Sequence, residues 1–368
     1  MPWILWRTVL RGTVWPFLVL LFALSTLLLL LLALRLTELA PGTSLAWEDV
    51  YPLFAHGLPH LAKLAVPVAW LGAVLLGLGQ LSAEGGYLAA RAAGVGPLRL
   101  TLPVIVLGGL LTVGGLLSSV FAEPVSNRNL RQALVRLAKT GAVTGLRPGV
   151  FTDALGDVVL HVGGRDGTGG LREVLVADGR DPAWALVAFA ARGRLDADVA
   201  SDRLLLRLED GELQSRSADG RHFRRATFAT YELAFDVREF LSRRTALVSG
   251  FDELDLEGMW REIERARGMG HVTWRYELIY HRKLALPFAP LLFSMLGIGL
   301  ALGRVRAPRV RAALLAVLLL GAYFGLQRAG ATMASEGVLP YVLCAWLPTL
   351  GLLPAALLVM RAAIRGRR

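Results

Sequence analysis

The sequence predicts six transmembrane helices with an antiparallel β-domain, a sandwich or jelly roll, inserted between the third and the fourth. Three observations predict it. The chain of 368 residues is 54% hydrophobic with a mean hydropathy of +0.51, and its apolar residues stand in long blocks instead of at the spacing of a soluble core. Six of those blocks are long enough to cross about 30 Å of hydrocarbon. Between the third and the fourth lie about 155 residues of ordinary soluble composition, far more than a connecting loop needs. The expected domains are residues 1–122 with three spans, 123–278 as the inserted domain with a trailing helix, and 279–368 with three further spans.

The spans fall at roughly 14–36, 61–80, 100–122, 284–302, 311–328 and 338–360. The first is expected to stay as a helix: the stretch from Trp15 to Leu34 exceeds the 7–15 residue core of a signal peptide, and no A-x-A site follows. Small residues recur in the others, with Gly108, Gly109, Gly114 and Gly115 in span 3, Gly297 and Gly299 in span 4, and Gly321 with Gly325 as GxxxG in span 5. They permit close helix approach, but are too common in membrane helices to show pairing by themselves. Pro287 falls in the first turn of span 4, where proline is tolerated, and Pro290 lies deeper and loosens the helix start.

The formal charge of +11 divides unevenly. Residues 123–278 hold 23 Lys/Arg against 24 Asp/Glu, and the rest hold 17 against 5. The basic excess belongs to the membrane part, which points to phospholipid headgroups or an anionic lipid, and not to nucleic acid. The single cysteine, Cys344, lies in span 6, which excludes a disulfide or a CxxC site within one chain.

Arginines in the short loops set the orientation. Arg7 and Arg11, Arg91 and Arg99, Arg304, Arg306, Arg309 and Arg311, and Arg361, Arg365, Arg367 and Arg368 all fall on one face. The opposite loops, 37–57 and 329–337, have no Lys or Arg and carry Glu38, Glu48, Asp49 and Glu336. Both termini are therefore expected in the cytoplasm, and the inserted domain outside it. Five cations defy this distribution at the outer boundary: Arg35, Lys63, Arg282, Lys283 and Arg328, with His281 beside them. Each could snorkel to the headgroups independently. Alternatively, the five form a partial ring placed to meet lipid phosphates.

In the inserted domain, "DVVLHV", "LREVLVAD", "WALVAFAARGRL", "RLLLRLEDGEL" and "ATFATYELAFDV" read as strands between Gly- and Asp-rich turns, with Glu209-Asp210-Gly211-Glu212 as a hairpin-type turn. Their apolar residues form a core or, in a sandwich that opens, line a groove for acyl chains. After them, Leu254, Met259, Ile263 and Ala266 have the spacing of an amphipathic helix.

Catalytic signatures are missing. No G-x-x-x-x-G-K-[ST] occurs, "GLGQLSAEGG" at 77–86 follows a span with the wrong glycine spacing for a dinucleotide loop, and no HExxH or third ligand joins His56 and His60. The cytoplasmic segment 82–100, "SAEGGYLAARAAGVGPLRL", is more informative. Tyr87, Leu88, Ala92 and Val95 can share one face of a short helix stopped by Gly94 and Gly96, with Pro97 in the turn before span 3. It is either an interfacial connector or a coupling helix that docks into another protein.

The order of three helices, a β-domain and three helices, with "YLAARAAGVGPLRLTLPVIV" at 87–106 and "ELIYHRKLALPFAPLLFSMLGIGLALG" at 277–303, resembles the LptF/LptG lipopolysaccharide-export permeases. "LRPGVF" and "FATYEL" add to it, the latter leaning to LptF. The resemblance implies a multi-pass inner-membrane permease with a periplasmic β-jelly roll, paired with a paralogous permease in an ABC transporter and driven by a dimer of the ATPase LptB. Such a complex extracts lipopolysaccharide and passes it to LptC/LptA-type β-jelly-roll proteins. The permease itself is not an enzyme and needs no cofactor. Residues 82–96 then match the ATPase coupling segment, with Glu84, Tyr87, Leu88, Arg91, Ala92, Gly94 and Val95 as the contacting set, and spans 1 and 5 match lateral gates. Family members carry an acid about eight positions before the glycine matched by Gly94; here that position is Gly86, and Glu84 is the nearest acid. A membrane-anchored sensor or assembly protein with a ligand-binding β-domain is the alternative from another class.

Overall fold

The computed structural model describes residues 2–39, 47–144, 148–152, 158–166, 170–179, 184–198, 203–217, 222–236, 251–302 and 308–365. Among the described residues, six helices are long and apolar enough to cross a membrane, at Trp3–Leu34, Tyr51–Ala83, Pro97–Ala133, Trp274–Ala301, Val310–Ser335 and Tyr341–Ile364. An antiparallel sheet is inserted between the third and the fourth, as the sequence predicts.

Span 1 lies in α1 (Pro2–Leu39) and span 2 in α2 (Trp47–Ala83), followed by the short α3 (Gly86–Ala92). Span 3 begins with α4 (Pro97–Leu117): Gly96 is extended at the N-cap and Pro97 takes the first helical position, where its missing N–H costs nothing. A π-helical stretch, Ser118–Ala122, then leads directly into α5 (Glu123–Thr144). The helix thus runs past the expected end at 122: after Pro124 in its first turn, the polar continuation is rich in Leu, Ala, Arg, Gln and Lys, which favour helix from residue 128 onward. Beyond the sheet, α6 (Leu256–Gly268) starts where the Asp255 side chain accepts a hydrogen bond from the Gly258 N–H at 3.0 Å. It buries Met259, Ile263 and Ala266 on its predicted face. Span 4 is α7 (Trp274–Ala285), a 3-10 turn at Leu286–Phe288, and α8 (Ala289–Ala301). Spans 5 and 6 are α9 (Pro308–Ser335) and α10 (Tyr341–Ile364).

Two compact units emerge. One comprises Met1–Leu31, His56–Arg128 and Gly250–Arg368; the other comprises Leu32–Ala55 and Asn129–Ser249. The core of the first is built on Trp70, Leu71, Val74, Leu75 and Leu78 of span 2, with Leu100 and Val104 of span 3 and Phe293 and Leu296 of span 4. Trp70 brings a polar handle that is satisfied internally: its Nε1 donates to Ser294 Oγ at 2.8 Å, and that hydroxyl donates to Pro290 O at 2.9 Å. Gly108 lets spans 3 and 4 approach there, since a Cβ on it would lie 2.1 Å from Ser294 Oγ. The GxxxG glycines of span 5 behave oppositely, because a Cβ on Gly321 or Gly325 would meet nothing within 4 Å.

The second unit carries six strands: β1 (Phe151–Thr152), β2 (Val158–Arg165), β3 (Leu171–Asp178), β4 (Trp184–Asp198), β5 (Arg203–Ser217) and β6 (Phe223–Asp236). They pair in chain order as one antiparallel meander. The five expected strand segments match β2 to β6. The expected hairpin at Glu209–Glu212 does not form. Strand β5 runs straight through it, with Leu208 opposite Gly193 before and Leu213 opposite Ala188 after.

Those residues belong instead to a crease that crosses the sheet. Pairing skips Gly163, Glu173, Ala191, Asp210 and Ala229, one in each strand from β2 to β6, and resumes unshifted on the far side. Glu173 and Asp210 have φ of 53° there, the left-handed conformation. The other three are Gly or Ala, which suits a line where backbones crowd. The crease also flips the inward phase: β3 buries Leu171 before it and Val174 and Val176 after it, while β4 buries Ala188 and Ala190 and then Gly193. A continuous alternation would have put one half of each strand facing the wrong way.

Candidate functional site

At the elbow between spans 2 and 3, the residues around α3 are shaped by two left-handed glycines. Gly85, with φ of 77°, breaks α2 from α3, and Gly94, with φ of 78°, ends α3 with its N–H on Arg91 O at 3.0 Å and the Val95 N–H on Ala90 O at 2.9 Å. The seven-residue helix divides the predicted set. Tyr87 is buried with Ala90, and Val95 packs against the same core, whereas Leu88, Arg91 and Ala92 are exposed, Leu88 by 71%. The single face expected for Tyr87, Leu88, Ala92 and Val95 is therefore corrected. At 3.6 residues per turn Tyr87 shares its side with Ala90 at i+3, and Leu88 shares the opposite side with Arg91 and Ala92. Glu84 is exposed in the turn and accepts from Gln80 Nε2 at 2.8 Å. A side chain at Gly86 is obstructed, since its Cβ would come 2.7 Å from Leu81 Cδ1. Trp6 Nε1 donates to Arg99 O at 2.9 Å, tying the start of span 1 to the start of span 3.

At the opposite end of the spans, the predicted cations divide by their partners. Lys63 Nζ lies 2.8 Å from Glu123 Oε1, and His60 Nδ1 lies 4.0 Å from the same oxygen. Ser119 Oγ is within hydrogen-bonding reach of Glu123 Oε2 at 3.2 Å and of Lys283 O at 2.8 Å. The second contact has a clear cause. Pro287, four residues on, has no N–H to give the Lys283 carbonyl, and the serine hydroxyl takes its place. The Lys283 side chain is itself buried, 2% exposed, with Nζ 3.4 Å from Leu254 O and 3.9 Å from Met259 Sδ. Arg282 turns instead to span 5, donating through Nη2 to Gln327 O at 2.5 Å, while its buried Nε has no hydrogen-bond partner among the described residues. Arg328 is exposed, and His281 is half-buried with its ring edge-on to Tyr280. Arg35 lies on α1, with its side chain outside the described residues.

Between spans 2, 3 and 4 this cluster opens onto a cavity of about 210 Å³. Its walls are apolar, from Val66, Pro67, Leu110, Leu111 and Pro290 among others, and Lys63, Ser118, Ser119 and Glu123 form its polar part. Two departures from α-helical geometry face it: the π turn of span 3 and the 3-10 turn of span 4. Glu123 and Ser119 were not among the expected site residues. The available signal was an acid directly after an otherwise uncharged apolar run, expected at the same boundary as a lysine that departs from the distribution of the loop arginines.

In the sheet, an open depression of about 630 Å³ follows the crease and is lined by His161, Glu173, Phe189, Asp210, Glu212 and Thr227 among others. Arg192 Nη2 pairs with Asp210 at 2.6 Å. Arg225 pairs with Glu212 and, together with Gln214, holds that carboxyl below the usual carboxylate range.

The family described as lipopolysaccharide export system permease LptF/LptG matches residues 7–362, nearly the whole chain. The chain belongs to the LptF/LptG family. Among curated proteins no relative matches it. Membership makes this LptF/LptG protein a transporter permease subunit, not an enzyme, and accords with its six spans and inserted sheet.

Proposed function

We propose that this LptF/LptG permease extracts lipopolysaccharide from the inner membrane as one of two paralogous permeases in an ABC transporter, driven by an LptB dimer. The cargo then passes to LptC/LptA-type β-jelly-roll proteins in the periplasm. The loop arginines place both termini in the cytoplasm and the sheet in the periplasm. One observation carries the coupling role: Leu88, Arg91 and Ala92 project from α3 while Tyr87 and Ala90 anchor it in the core of the spans. A protein docked on the outer side can thereby move the helices to which the inner side is packed.

The partner permease is assigned to spans 1 and 5, whose apolar windows are each only 11% buried within the chain. Lipid phosphates are assigned to the boundary cations Arg35, Lys63, Arg282, Lys283 and Arg328. Arg282 and Arg328 lead, because Lys63 already has Glu123 as its counter-ion and Lys283 is enclosed. Contacts of modest strength suit a transporter, since a cargo held too tightly could not leave.

Purification with native partners tests the assignment: an associated ATPase whose rate rises with added lipopolysaccharide is expected, and the absence of any nucleotide-binding partner would sink it. Leu88→Glu should release the ATPase while leaving the permease folded. Retained assembly would remove α3 from the coupling role. Neutralising Arg282 and Arg328 together should weaken crosslinking to lipopolysaccharide, and unchanged crosslinking would leave them as anchors.

A further inference from the structure

We propose that the cavity between spans 2, 3 and 4 seats one acyl chain of a resident membrane phospholipid, whose amine and phosphate meet Glu123 and Lys63. The proposal takes from the permease reading only the orientation of the spans. It moves Lys63, which already has Glu123 beside it, from the cargo's phosphates to those of a resident phospholipid.

The walls set the class of ligand. Pro59, Ala62, Val66, Pro67, Leu110 and Leu111 offer no hydrogen bonds from their side chains, and the cavity is open past Leu110, which is 61% exposed, to whatever surrounds span 3. Around a membrane helix that medium is hydrocarbon. Protein interiors are close-packed, and an apolar void in contact with lipid tails is filled by one of them. The volume of about 210 Å³ is below the range of roughly 300–1,000 Å³ typical of sites for drug-sized molecules, so it admits a single chain and not a multi-chain cargo.

The polar part sets the headgroup. Lys63 Nζ carries three N–H groups, of which the bond to Glu123 Oε1 occupies one, and its side chain is 27% exposed. The carboxylate of Glu123 has lone pairs beyond the one used by Lys63. The pair is neutral in sum. A zwitterionic head can therefore place its phosphate on Lys63 and its ammonium on Glu123 without leaving either charge unmatched, whereas a polyanionic head would meet the carboxylate as well. The backbone geometry keeps the seat open: the π turn and the proline-containing 3-10 turn draw spans 3 and 4 off regular packing, and Ser119 supplies the Lys283 carbonyl with the donor that Pro287 lacks.

Gly114 supplies the test. It lines the cavity, and a Cβ on it would meet no atom within 4 Å, so Gly114→Leu places a side chain into the seat from an open position. Gly109, on the same helix, is equally open but does not line the cavity, and Gly109→Leu is the matched control. The full permease complex, purified and washed extensively in detergent, is extracted and its phospholipid and lipopolysaccharide are measured by mass spectrometry. The wild type and Gly109→Leu should retain phospholipid, and Gly114→Leu should lose most of it. Equal retention in both variants, no retained phospholipid in the wild type, or lipopolysaccharide in its place would overturn the proposal. Should Gly114→Leu fail to assemble, a phospholipid with a photoactivatable acyl chain, added to the wild-type complex in nanodiscs, should label peptides containing Val66 or Leu110; labelling confined to other spans would overturn it. Stimulation of the ATPase by lipopolysaccharide is measured separately, so failure of the transport reading is not mistaken for failure of this one.

Discussion

Spans 2 and 4 bury 61% and 72% of their apolar windows inside the chain, while spans 1 and 5 bury 11% each, although the hydropathies of 2.0, 2.0, 3.0 and 1.7 do not sort them that way. Hydropathy measures the preference for lipid over water. It says nothing of whether a helix faces lipid or protein, because a lipid tail is as apolar as leucine. Finer features hold spans 2 and 4: the Trp70 indole finds Ser294 on another span, and Gly297 and Gly299 would collide with Val74 and with the Val359 backbone if they had side chains, whereas span 5 makes such an approach at Gly330 and span 1 is tied to span 3 through Trp6. In spans 1 and 5, Trp15, Phe22, Leu314 and Val317 are exposed.

The largest effect should come from the buried pair. Trp70→Ala removes a fully enclosed ring and the donor to the Ser294 hydroxyl, and is expected to cost about 3–5 kcal/mol, read as a lower unfolding midpoint in detergent. Leu314→Ala on span 5 should change that midpoint little; an equal loss at both positions would dissolve the contrast. Next comes Glu123→Ala, which leaves Lys63 without its counter-ion in a largely apolar setting and should cost roughly 3 kcal/mol. The double change Lys63→Met with Glu123→Met should recover most of this, and simple additivity of the single costs would refute the coupling. In the sheet, Glu173→Gly relieves a left-handed backbone at an exposed position and should stabilise by about 1 kcal/mol, a gain absent if the crease is not held in that conformation.

Smaller still is the acid response of the sheet. Glu212 is held below its ordinary pKa by Arg225, so its contribution is present above the unfolded value and is lost as pH falls through the folded one. Glu212→Gln should flatten the acid limb of stability slightly, and an unchanged limb would show the exposed pair to be idle. Smallest of all on the stability of the isolated chain is Gly321→Leu with Gly325→Leu, expected to shift it by less than about 0.5 kcal/mol because neither position meets a neighbour. The same change should weaken copurification of the paralogous permease. Full retention of that partner would assign this face of span 5 to lipid.

Much of this architecture is legible in the residues. Run length located all six spans, although their helices extend up to eleven residues past the expected limits, and alternation located the five long strands. The face of α6 followed from Met259, Ile263 and Ala266 alone. The errors share a cause. Glu209–Glu212 has the composition of a turn, but β4 and β6 pair with it on both sides, so the same residues make a crease and not a reversal. Leu88 has the spacing to join Tyr87 and Val95, yet a helix of only seven residues between two left-handed glycines aims it outward. Glu123 looked like the first residue of the inserted domain, and the helix continuing through it keeps it beside Lys63.

By itself, then, the sequence determined what depends on one-dimensional properties: how long a stretch stays apolar, how often its residues alternate, and on which side of each span the arginines collect. Tertiary structure alone decided that Lys63 is the boundary cation with an acid beside it among the described residues. Glu123 reaches Lys63 across 60 positions of chain because spans 2 and 3 pack together. The cavity is of the same kind. It exists because a π turn and a proline fall at facing points on two helices, a coincidence in space that no local pattern records.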